Sequence, residues 1–267
     1  MLLEIVSATD TGLIRNNNED YIASDADLGF AIVADGMGGY QAGEVASAIA
    51  VTTVIAELEM LLTKKANLKR QPNHHYHTTT VWLEQAVIKA NQIIYETAMQ
   101  KQMYQGMGTT VVAVLFHDDF LSIAHVGDSR LYRLRANKFC QITKDHSVLQ
   151  ELIDCGYYSR EQARKSPNKH LVTKALGIGE QVSVEIQECS LLHEDIYLLC
   201  SDGLSDMLDD DEIHKLIKNA ETLDQAVKDL VKAANDKGGN DNISVVLATL
   251  LEPQRKSKLA QWLFHSS

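Results

Sequence analysis

The stretch that organises this chain is Ile32-Val33-Ala34-Asp35-Gly36-Met37-Gly38-Gly39. It continues an apolar run that starts at Phe30, which predicts a buried strand ending at an Asp-Gly turn. A carboxylate is therefore expected at the end of a rigid element. The glycines beside it let backbone groups approach whatever that carboxylate holds. A helical pattern follows from Gln41 to Leu62.

The same arrangement recurs at three further positions along the chain. Asp128, Asp202 and Asp241 each lie within two residues of a glycine and close to an apolar run that predicts a strand. One Asp-Gly pair is an ordinary turn, but four aspartates at strand ends indicate a cluster assembled by the fold. Carboxylate oxygens without nearby cysteine or histidine ligands suit Mg²⁺ or Mn²⁺, and several carboxylates from distant segments favour a two-metal site.

Composition limits the class of protein. The 267 residues carry a formal net charge of -11, include 45% hydrophobic residues and contain only three prolines, which is typical of a globular protein. We expect one domain at residues 1–252 and a tail at 253–267. An acidic chain argues against nucleic acid as the main partner.

The cysteines and the N-terminus indicate a compartment. The four cysteines form no C-x-x-C pair, and Cys200 lies in an apolar run that predicts burial. Neither a secretory signal nor an apolar run long enough to cross a bilayer is apparent. These features predict a cytoplasmic protein without a transmembrane segment.

Apolar patterning predicts a mixture of strands and helices. Strands are expected at 3–9, 30–34, 110–116, 120–126, 131–134, 139–142, 182–188, 196–200 and 243–250, and their close succession favours antiparallel pairing. Helices are expected at 41–62 and 81–103, from a start at 143–147, after the acidic run 209–212, and from the capping box Thr222-x-x-Gln225 onward.

Four polar or basic segments are open to two interpretations each. The loop around Arg15 is either solvated or part of a functional site. In the functional interpretation Arg15 binds phosphate beside a carboxylate that holds metal-bound water, since a guanidinium can bind two phosphate oxygens. His74, His75 and His77 indicate a surface loop rather than a metal site. Residues 157–170 predict a mobile flap. Its basic residues either contact an acidic or phosphorylated partner or are solvated; they are Arg160, Arg164, Lys165 and Lys169. The tail either anchors the chain to a membrane or partner, or packs on its own domain.

Together the motifs resemble the metal-dependent protein phosphatases of the PPM, or type-2C, family in its bacterial form. Each motif alone is a weak signal, whereas the ordered set is specific. The matching segments are Thr9-Asp10-x-Gly12-x-x-Arg15-x-x-Asn18-Glu19-Asp20, Val33-Ala34-Asp35-Gly36-Met37-Gly38-Gly39 with Ala42-Gly43-Glu44, Gly108-Thr109-Thr110, Val126-Gly127-Asp128-Ser129-Arg130, Asp145-His146-Ser147, Ala175-Leu176-Gly177, Ser201-Asp202-Gly203-Leu204 and Gly239-x-Asp241-Asn242.

The resemblance implies an α+β fold, a four-layer αββα sandwich in which two antiparallel β-sheets are flanked by helices. It implies that Asp35 bridges two metal ions, with the Gly36 carbonyl as a further ligand. Asp202 and Asp241 would complete one of these sites.

The resemblance also implies the remaining roles. Glu19 would hold a metal-bound water and Arg15 would bind the substrate phosphate, so that Arg15 and Asp35 are the candidate catalytic residues. A third ion would use Asp128 together with Asp202, and Asp206 would support it through water. The chain would thus hold two or three Mn²⁺ or Mg²⁺ ions.

The implied activity is metal-dependent hydrolysis of phosphoserine and phosphothreonine in proteins by a metal-bridged water or hydroxide. Two divalent cations offset the repulsion between the phosphate dianion and an anionic nucleophile, and they lower the pKa of the bridging water. The partners would be phosphorylated proteins and a bacterial serine/threonine kinase that the enzyme opposes in signalling. A monomer is expected.

The sequence departs from the family's pattern at the general acid. Met37 stands where many eukaryotic members have a histidine, and a methionine cannot donate a proton. Tyr40 stands where bacterial relatives commonly have a histidine. A metal-bound water or His146 could act instead, although His146 is better interpreted as a cap at a helix start. The general acid therefore stays unassigned.

Two other functions fit parts of the sequence. A metal-dependent phosphodiesterase acting on nucleotides is disfavoured by the net charge and by the absence of an aromatic-basic stripe. A non-catalytic domain that binds phosphoproteins is disfavoured because every expected carboxylate is present.

Overall fold

The computed structural model describes residues 2–39, 42–63, 75–159, 162, 166, 168 and 171–251. Its strands are β1 Leu3–Asp10, β2 Asp20–Asp25, β3 Phe30–Met37, β4 Gly108–Thr109, β5 Val111–Phe116, β6 Phe120–Val126, β7 Arg130–Arg135, β8 Lys138–Gln141, β9 Glu185–Ser190, β10 Ile196–Cys200 and β11 Ile243–Leu250. Its α-helices are α1 Ala42–Thr63, α2 Thr78–Gln100, α3 Val148–Asp154, α4 Asp202–Ser205, α5 Asp210–Asn219 and α6 Leu223–Asp236.

The strands form two sheets in which every paired neighbour is antiparallel. The first sheet has the order β1-β11-β10-β7-β8. The second has the order β2-β3-β5-β6-β9, and the short β4 pairs with the end of β3. The first and last strands of the fold lie side by side, with Leu3 opposite Leu250.

Three apolar clusters hold the layers together. Alternate residues of a strand point to opposite faces of its sheet, so Val33 of β3 and Val246 of β11 meet between the two sheets. Ile32 packs outward against α1 and α2, and Val245 packs outward against α5 and α6. The predicted four-layer αββα sandwich is confirmed.

Many of the predicted element boundaries hold, and one difference bears on the site. The strands predicted at 120–126, 196–200 and 243–250 are confirmed at both ends. The prediction that the strand ends at Ala34, before an Asp35-Gly36 turn, is wrong, because β3 continues to Met37. Gly36 and Met37 pair with β4, so the carboxylate of Asp35 projects from inside a paired strand.

Three further elements differ from the prediction in their bounds or were not predicted. Helix α2 begins at Thr78, three residues before the predicted start, and the His77 carbonyl accepts the first helical N–H groups, from Thr80 and Val81. Strand β9 begins at Glu185 instead of residue 182. Helix α4 has four residues and thus carries no apolar period that a sequence could reveal.

The predicted helix caps are confirmed in part. Asp209 accepts a bond from Glu212 N while the Glu212 side chain accepts from Asp209 N, so the acidic run starts a helix as expected. Thr222 accepts from Gln225 N. The Gln225 side chain donates to Asp229 instead of returning to the cap.

The interpretations of some polar segments concern residues outside those described. This applies to Tyr40, Gln41, His74, Arg160, Arg164, Lys165, Lys169 and the tail 253–267. His77 is described, and its Nδ1 lies 2.9 Å from the Glu188 carboxylate.

Helix α1 corrects one expectation. Its residues Ala42–Leu62 are long and apolar enough, by length and composition, to cross a membrane, whereas the sequence analysis found no such run. In the fold this helix packs against β3 and α2, and Ala46, Val54 and Leu58 are buried there. Core helices pass the same test of length and composition.

Asn91 of α2 ties the helix to the loop that follows α3. Its Oδ1 accepts from Gly177 N at 2.8 Å, and its Nδ2 donates to the carbonyls of Gly179 and Glu180 at 3.1 and 3.2 Å. We expect Asn91→Leu to lower the free energy of unfolding by about 2–4 kcal/mol, because the buried N–H of Gly177 and two further backbone carbonyls lose their partner. Urea denaturation measures the change.

The exposed neighbour Gln92 supplies the control for this prediction. Gln92→Leu is expected to stay within about 0.5 kcal/mol of the wild type. Equal stability of the Asn91→Leu variant and the wild type would show that the loop does not depend on this side chain.

Candidate active site

A cavity of about 690 Å³ opens at one end of the two sheets. Its walls contain every residue that the sequence analysis selected for the site. These residues are Arg15, Glu19, Asp35, Gly36, Asp128, Asp202, Asp206 and Asp241. The fold therefore brings together five segments that are far apart in the sequence, and the individual roles of these residues stay predictions.

Gly36 lies where three backbone segments meet. A Cβ at this position would stand 2.2 Å from the Gly43 carbonyl oxygen and 2.5 Å from the Glu19 carbonyl oxygen. Gly36 N donates to that Glu19 oxygen at 3.1 Å. Only glycine allows β3, the start of α1 and the Glu19 loop to approach this closely.

Glu19 is held from both sides of the sandwich. Its carbonyl also accepts from Ser47 Oγ of α1 at 2.6 Å, and its N–H donates to Asn242 Oδ1 at 2.8 Å. A Cβ at Gly43 would stand 2.4 Å from Glu19 Oε2, so the carboxylate lies directly against the first turn of α1. The backbone of Glu19 is thus held in place before any ligand arrives, with the carboxylate beside α1.

Asn242 is a site residue whose role was not predicted from the sequence. Besides accepting from Glu19 N, it donates from Nδ2 to the carbonyls of Thr11 and Asn17 at 2.9 Å each. One side chain at the start of β11 therefore shapes the loop that carries Arg15 and Glu19. The motif Asp241-Asn242 was visible in the sequence, but nothing there indicated this partner segment.

Arg15 extends over the cavity and contacts one of the candidate ligands. Its Nη2 donates to Asp241 Oδ2 at 2.8 Å, and its side chain is 55% exposed. The Asp241 carboxylate raises the pKa of Arg15, so the guanidinium is charged at any physiological pH. The exposed remainder of the guanidinium can receive an anion from solvent.

Asp20 is a second residue that the sequence analysis left without a role. Its Oδ2 accepts from Ser201 Oγ at 2.8 Å, while its Oδ1 is buried without a hydrogen-bond partner among the described residues. Burial raises the pKa of this carboxyl to about 7, and Asp202 and Asp241 add to the rise. Its position opposite Asp35 across the β2–β3 pair places it in the same carboxylate cluster.

The clustered carboxylates repel one another. Burial raises the pKa of Asp35 well above its usual range, and the charges of Asp20, Asp202 and Asp128 raise it further. The pKa of Asp128 is raised in the same way, by burial first and then by Asp202. A set of crowded oxygen ligands with excess negative charge fits hard divalent cations such as Mg²⁺ or Mn²⁺.

Two turns bring Asp128, Asp202 and Asp206 to the cavity. Asp128 follows Gly127, whose φ of 109° is a conformation that favours glycine. Asp202 begins α4, and Asp206 N donates to the Asp202 carbonyl at 2.7 Å, which closes one helical turn. Side chains four residues apart on a helix lie on the same face, so both carboxylates line the same wall.

The candidates for the general acid are placed differently. Met37 lines the cavity as expected. His146 is 9% exposed, does not line the cavity, and uses both ring nitrogens in hydrogen bonds to Gly127 and Glu185. The expectation that His146 caps α3 is wrong, because Ser147 is the N-cap and its side chain accepts from Gln150 N.

A sequence model of the family described as protein phosphatase 2C matches residues 14–263. The chain therefore belongs to this family. It is 36% identical over 245 residues to the serine/threonine phosphatase stp of Listeria monocytogenes, which covers 90% of this chain and 92% of that protein. It is 33% identical to the protein phosphatase PhpP of Streptococcus pneumoniae, with 94% and 98% covered.

Solved structures show the same architecture. The serine/threonine phosphatase PstP/Ppp of Mycobacterium tuberculosis superimposes with a TM-score of 0.84 at 34% identity, covering 94% of this chain and 100% of that one. The catalytic domain of PstP in complex with two manganese ions gives a TM-score of 0.80 at 34% identity, with 94% and 99% covered.

Proposed function

We propose that this chain is a protein phosphatase that hydrolyses phosphoserine and phosphothreonine in proteins with the help of bound divalent cations. The observation that carries the proposal is the single cavity in which the candidate carboxylates and Arg15 meet. The related phosphatases of Listeria, Streptococcus and Mycobacterium support the same activity.

We assign the cations to the carboxylate cluster. Asp35, the Gly36 carbonyl, Asp202 and Asp241 would hold two Mn²⁺ or Mg²⁺ ions, with Glu19 acting through water. The two manganese ions in the PstP catalytic domain support this number. When bound, the cations neutralise phosphate charge and lower the pKa of water to supply a nucleophile near neutral pH.

A third cation would lie beside these two. Asp128 and Asp202 would hold it, and Asp206 would support it through water. The raised pKa of Asp128 supports the assignment: burial is its main cause, the charge of Asp202 adds to it, and a bound cation would relieve that repulsion.

The residues of the chain orient and hold the substrate. Arg15 binds the phosphate oxygens through its planar fork, and Asp241 fixes one end of that guanidinium. Developing charge on the equatorial oxygens is stabilised by the same group.

None of the serine or cysteine side chains beside the candidate ligands is proposed as the nucleophile. Ser201 Oγ donates to Asp20, and Ser129 Oγ lies 2.7 Å from the Thr110 hydroxyl in the interior. Burial raises the pKa of Cys200 to about 12, so its thiolate is scarce. Attack by water fits these observations.

The biological setting forms a further part of the proposal. A serine/threonine kinase would supply the phosphorylated proteins, because the reaction consumes phosphoserine and phosphothreonine. The enzyme would act as a monomer in the cytoplasm. One chain lines the whole cavity, and all four cysteines are free. Residues 1–252 would form the catalytic domain and 253–267 a tail.

Phosphate release from a phosphothreonine peptide tests the proposal. We expect release with Mn²⁺ or Mg²⁺ and none with EDTA. Asp202→Asn is expected to lower kcat/KM by about 10³-fold, or about 4 kcal/mol, because it removes a shared cation ligand. Asp211→Asn, an exposed carboxylate in the first turn of α5, is the matched control and should retain full activity.

Two outcomes would contradict the proposal. Absence of release with either metal would exclude phosphothreonine peptides as substrates. Turnover of bis-p-nitrophenyl phosphate without turnover of the peptide would identify a phosphodiesterase instead.

A further inference from the structure

Two stacked histidines and a glutamate lie behind the cavity wall and play no part in the function proposed above. His125, His146 and Glu185 each place a nitrogen or oxygen within 4.8 Å of the others. His125 and Glu185 face each other in the β6–β9 pair, and His146 comes from the segment that leads into α3. The first question is whether this trio is a metal site.

The ring geometry argues against a metal ion. The rings of His125 and His146 are stacked with centroids 4.3 Å apart and planes 22° apart. The lone pair of an imidazole nitrogen lies in the plane of its ring. Two stacked, nearly parallel rings therefore share no nearby point at which both lone pairs could meet one ion.

The hydrogen bonds of His146 lead to the same conclusion. Gly127 N donates to His146 Nδ1 at 3.1 Å, so this nitrogen carries the lone pair. The proton of the neutral ring is then on Nε2, which donates to Glu185 Oε2 at 3.2 Å. Neither nitrogen is left to bind a metal ion.

The same bonds show what the trio holds. Both backbone polar groups of Gly127 are taken by the histidines. Its N–H donates to His146 Nδ1, while its carbonyl accepts from His146 N at 2.8 Å and from His125 Nε2 at 3.2 Å. Glu185 fixes which nitrogen of His146 is protonated, and thereby keeps Nδ1 available as the acceptor.

Gly127 has no side chain that could bond to its surroundings, and it packs closely against Thr110. A Cβ there would stand 2.5 Å from Cβ of Thr110, so no side chain can occupy the position. Its backbone bonds therefore determine the direction in which the next residue, Asp128, leaves the turn. The Asp128 carboxylate enters the cavity from this turn.

We propose that His146, oriented by Glu185, is a positioning residue that holds the Gly127–Asp128 turn so that Asp128 can bind a cation. The inference rests on the proposed function for the third cation. It concerns the affinity of that cation and involves no contact between His146 and the substrate.

Titration of the full chain with Mn²⁺ in a calorimeter tests the inference without relying on turnover. We expect His146→Phe to weaken the weakest class of Mn²⁺ site by roughly 10-fold and to leave the tighter sites unchanged, as is typical when the support of a ligand is lost. His146→Asn should restore most of the affinity, because its Oδ1 can accept from Gly127 N.

Two further variants keep the test decisive if His146→Phe does not fold. Glu185 is partly exposed, so Glu185→Leu is expected to fold and to shift the same site in the same direction. Glu185→Gln should stay close to the wild type, because its carbonyl oxygen still accepts from His146 Nε2. His214→Phe, at a histidine in α5 that stacks on Phe139 and does not line the cavity, is the control and should change no Mn²⁺ affinity.

The outcomes separate this inference from the proposed function. Unchanged Mn²⁺ affinities in His146→Phe or Glu185→Leu would overturn the positioning role, and so would a wild-type isotherm with only two ions. Failure of the wild type to release phosphate would contradict the proposed function, yet the calorimetric comparison would still give its own answer.

Discussion

Asp35→Asn is expected to abolish activity and, at the same time, to stabilise the metal-free protein. Activity should fall by about 10³-fold or more, because a carboxylate proposed to hold the cations is removed. Stability should rise by about 1–2 kcal/mol, because an asparagine does not repel the neighbouring carboxylates Asp20, Asp202 and Asp128.

The direction of the pH dependence follows from the raised pKa values. Asp35 binds its proton more tightly in the folded chain than in the unfolded chain, where its pKa is about 3.9. The folded state then binds more protons, so stability falls as the pH rises above the unfolded value. Asp20 has a pKa of about 7, so its contribution to the free energy of unfolding is lost as the pH rises from roughly 4 to 7.

Thermal denaturation in EDTA from mildly acidic to neutral pH measures this effect. The melting temperature of the wild type should decrease toward neutral pH, and the decrease should be smaller in Asp35→Asn. A gain of 1 kcal/mol corresponds to about 2–4 °C for a chain of this size. Asp27→Asn, at an exposed turn position, is the control and should change neither quantity. An Asp35→Asn variant that melts below the wild type in EDTA would refute the electrostatic explanation.

Gly36→Ala is expected to have the largest effect on the fold at the site. The added methyl group would meet the carbonyl oxygens of Gly43 and Glu19, and both belong to backbone that cannot rotate away. We expect a loss of about 3 kcal/mol or more in the free energy of unfolding. Mn²⁺-dependent activity should fall by at least about 10²-fold, since Glu19 and Asp35 are displaced with the backbone.

Gly39 provides a matched comparison three residues along the same segment. A Cβ at Gly39 would meet nothing within 4 Å, so Gly39→Ala should retain the stability and activity of the wild type. Urea denaturation and peptide turnover are the two measurements. Equal results for the two alanine variants would mean that the close approach at Gly36 is dispensable.

The sequence was most informative where one residue type repeats in one context. The recurrence of aspartate and glycine near apolar runs predicted Asp35, Asp128, Asp202 and Asp241, which all line the cavity, although each match alone was weak. The segment Ile243–Leu250 was predicted at both ends because burial on both faces leaves a run that is apolar except for Ser244 and Thr249.

Long-range side-chain contacts were beyond sequence reasoning. Asn242 bonds to residues more than 220 positions away, and no local pattern identifies such partners. The continuation of β3 past Asp35 depends on pairing with β4, which looks like an ordinary Gly-Thr dipeptide. Ser147 rather than His146 caps α3, because the bonds between His146 and Gly127 fix that residue outside the helix.

The side-by-side placement of β1 and β11 has a consequence for how the molecule comes into being. Strand β11 lies between β1 and β10, and all eight of its residues are buried. The first sheet therefore lacks an inner strand until the ribosome has released the residues up to Leu250. Asp241 and Asn242 arrive with that strand, so a nascent chain cannot assemble the carboxylate cluster early. The pairing of β1 with β11 and the completion of the site therefore occur together, late in biosynthesis. Pairing between residues so far apart in the sequence is slow.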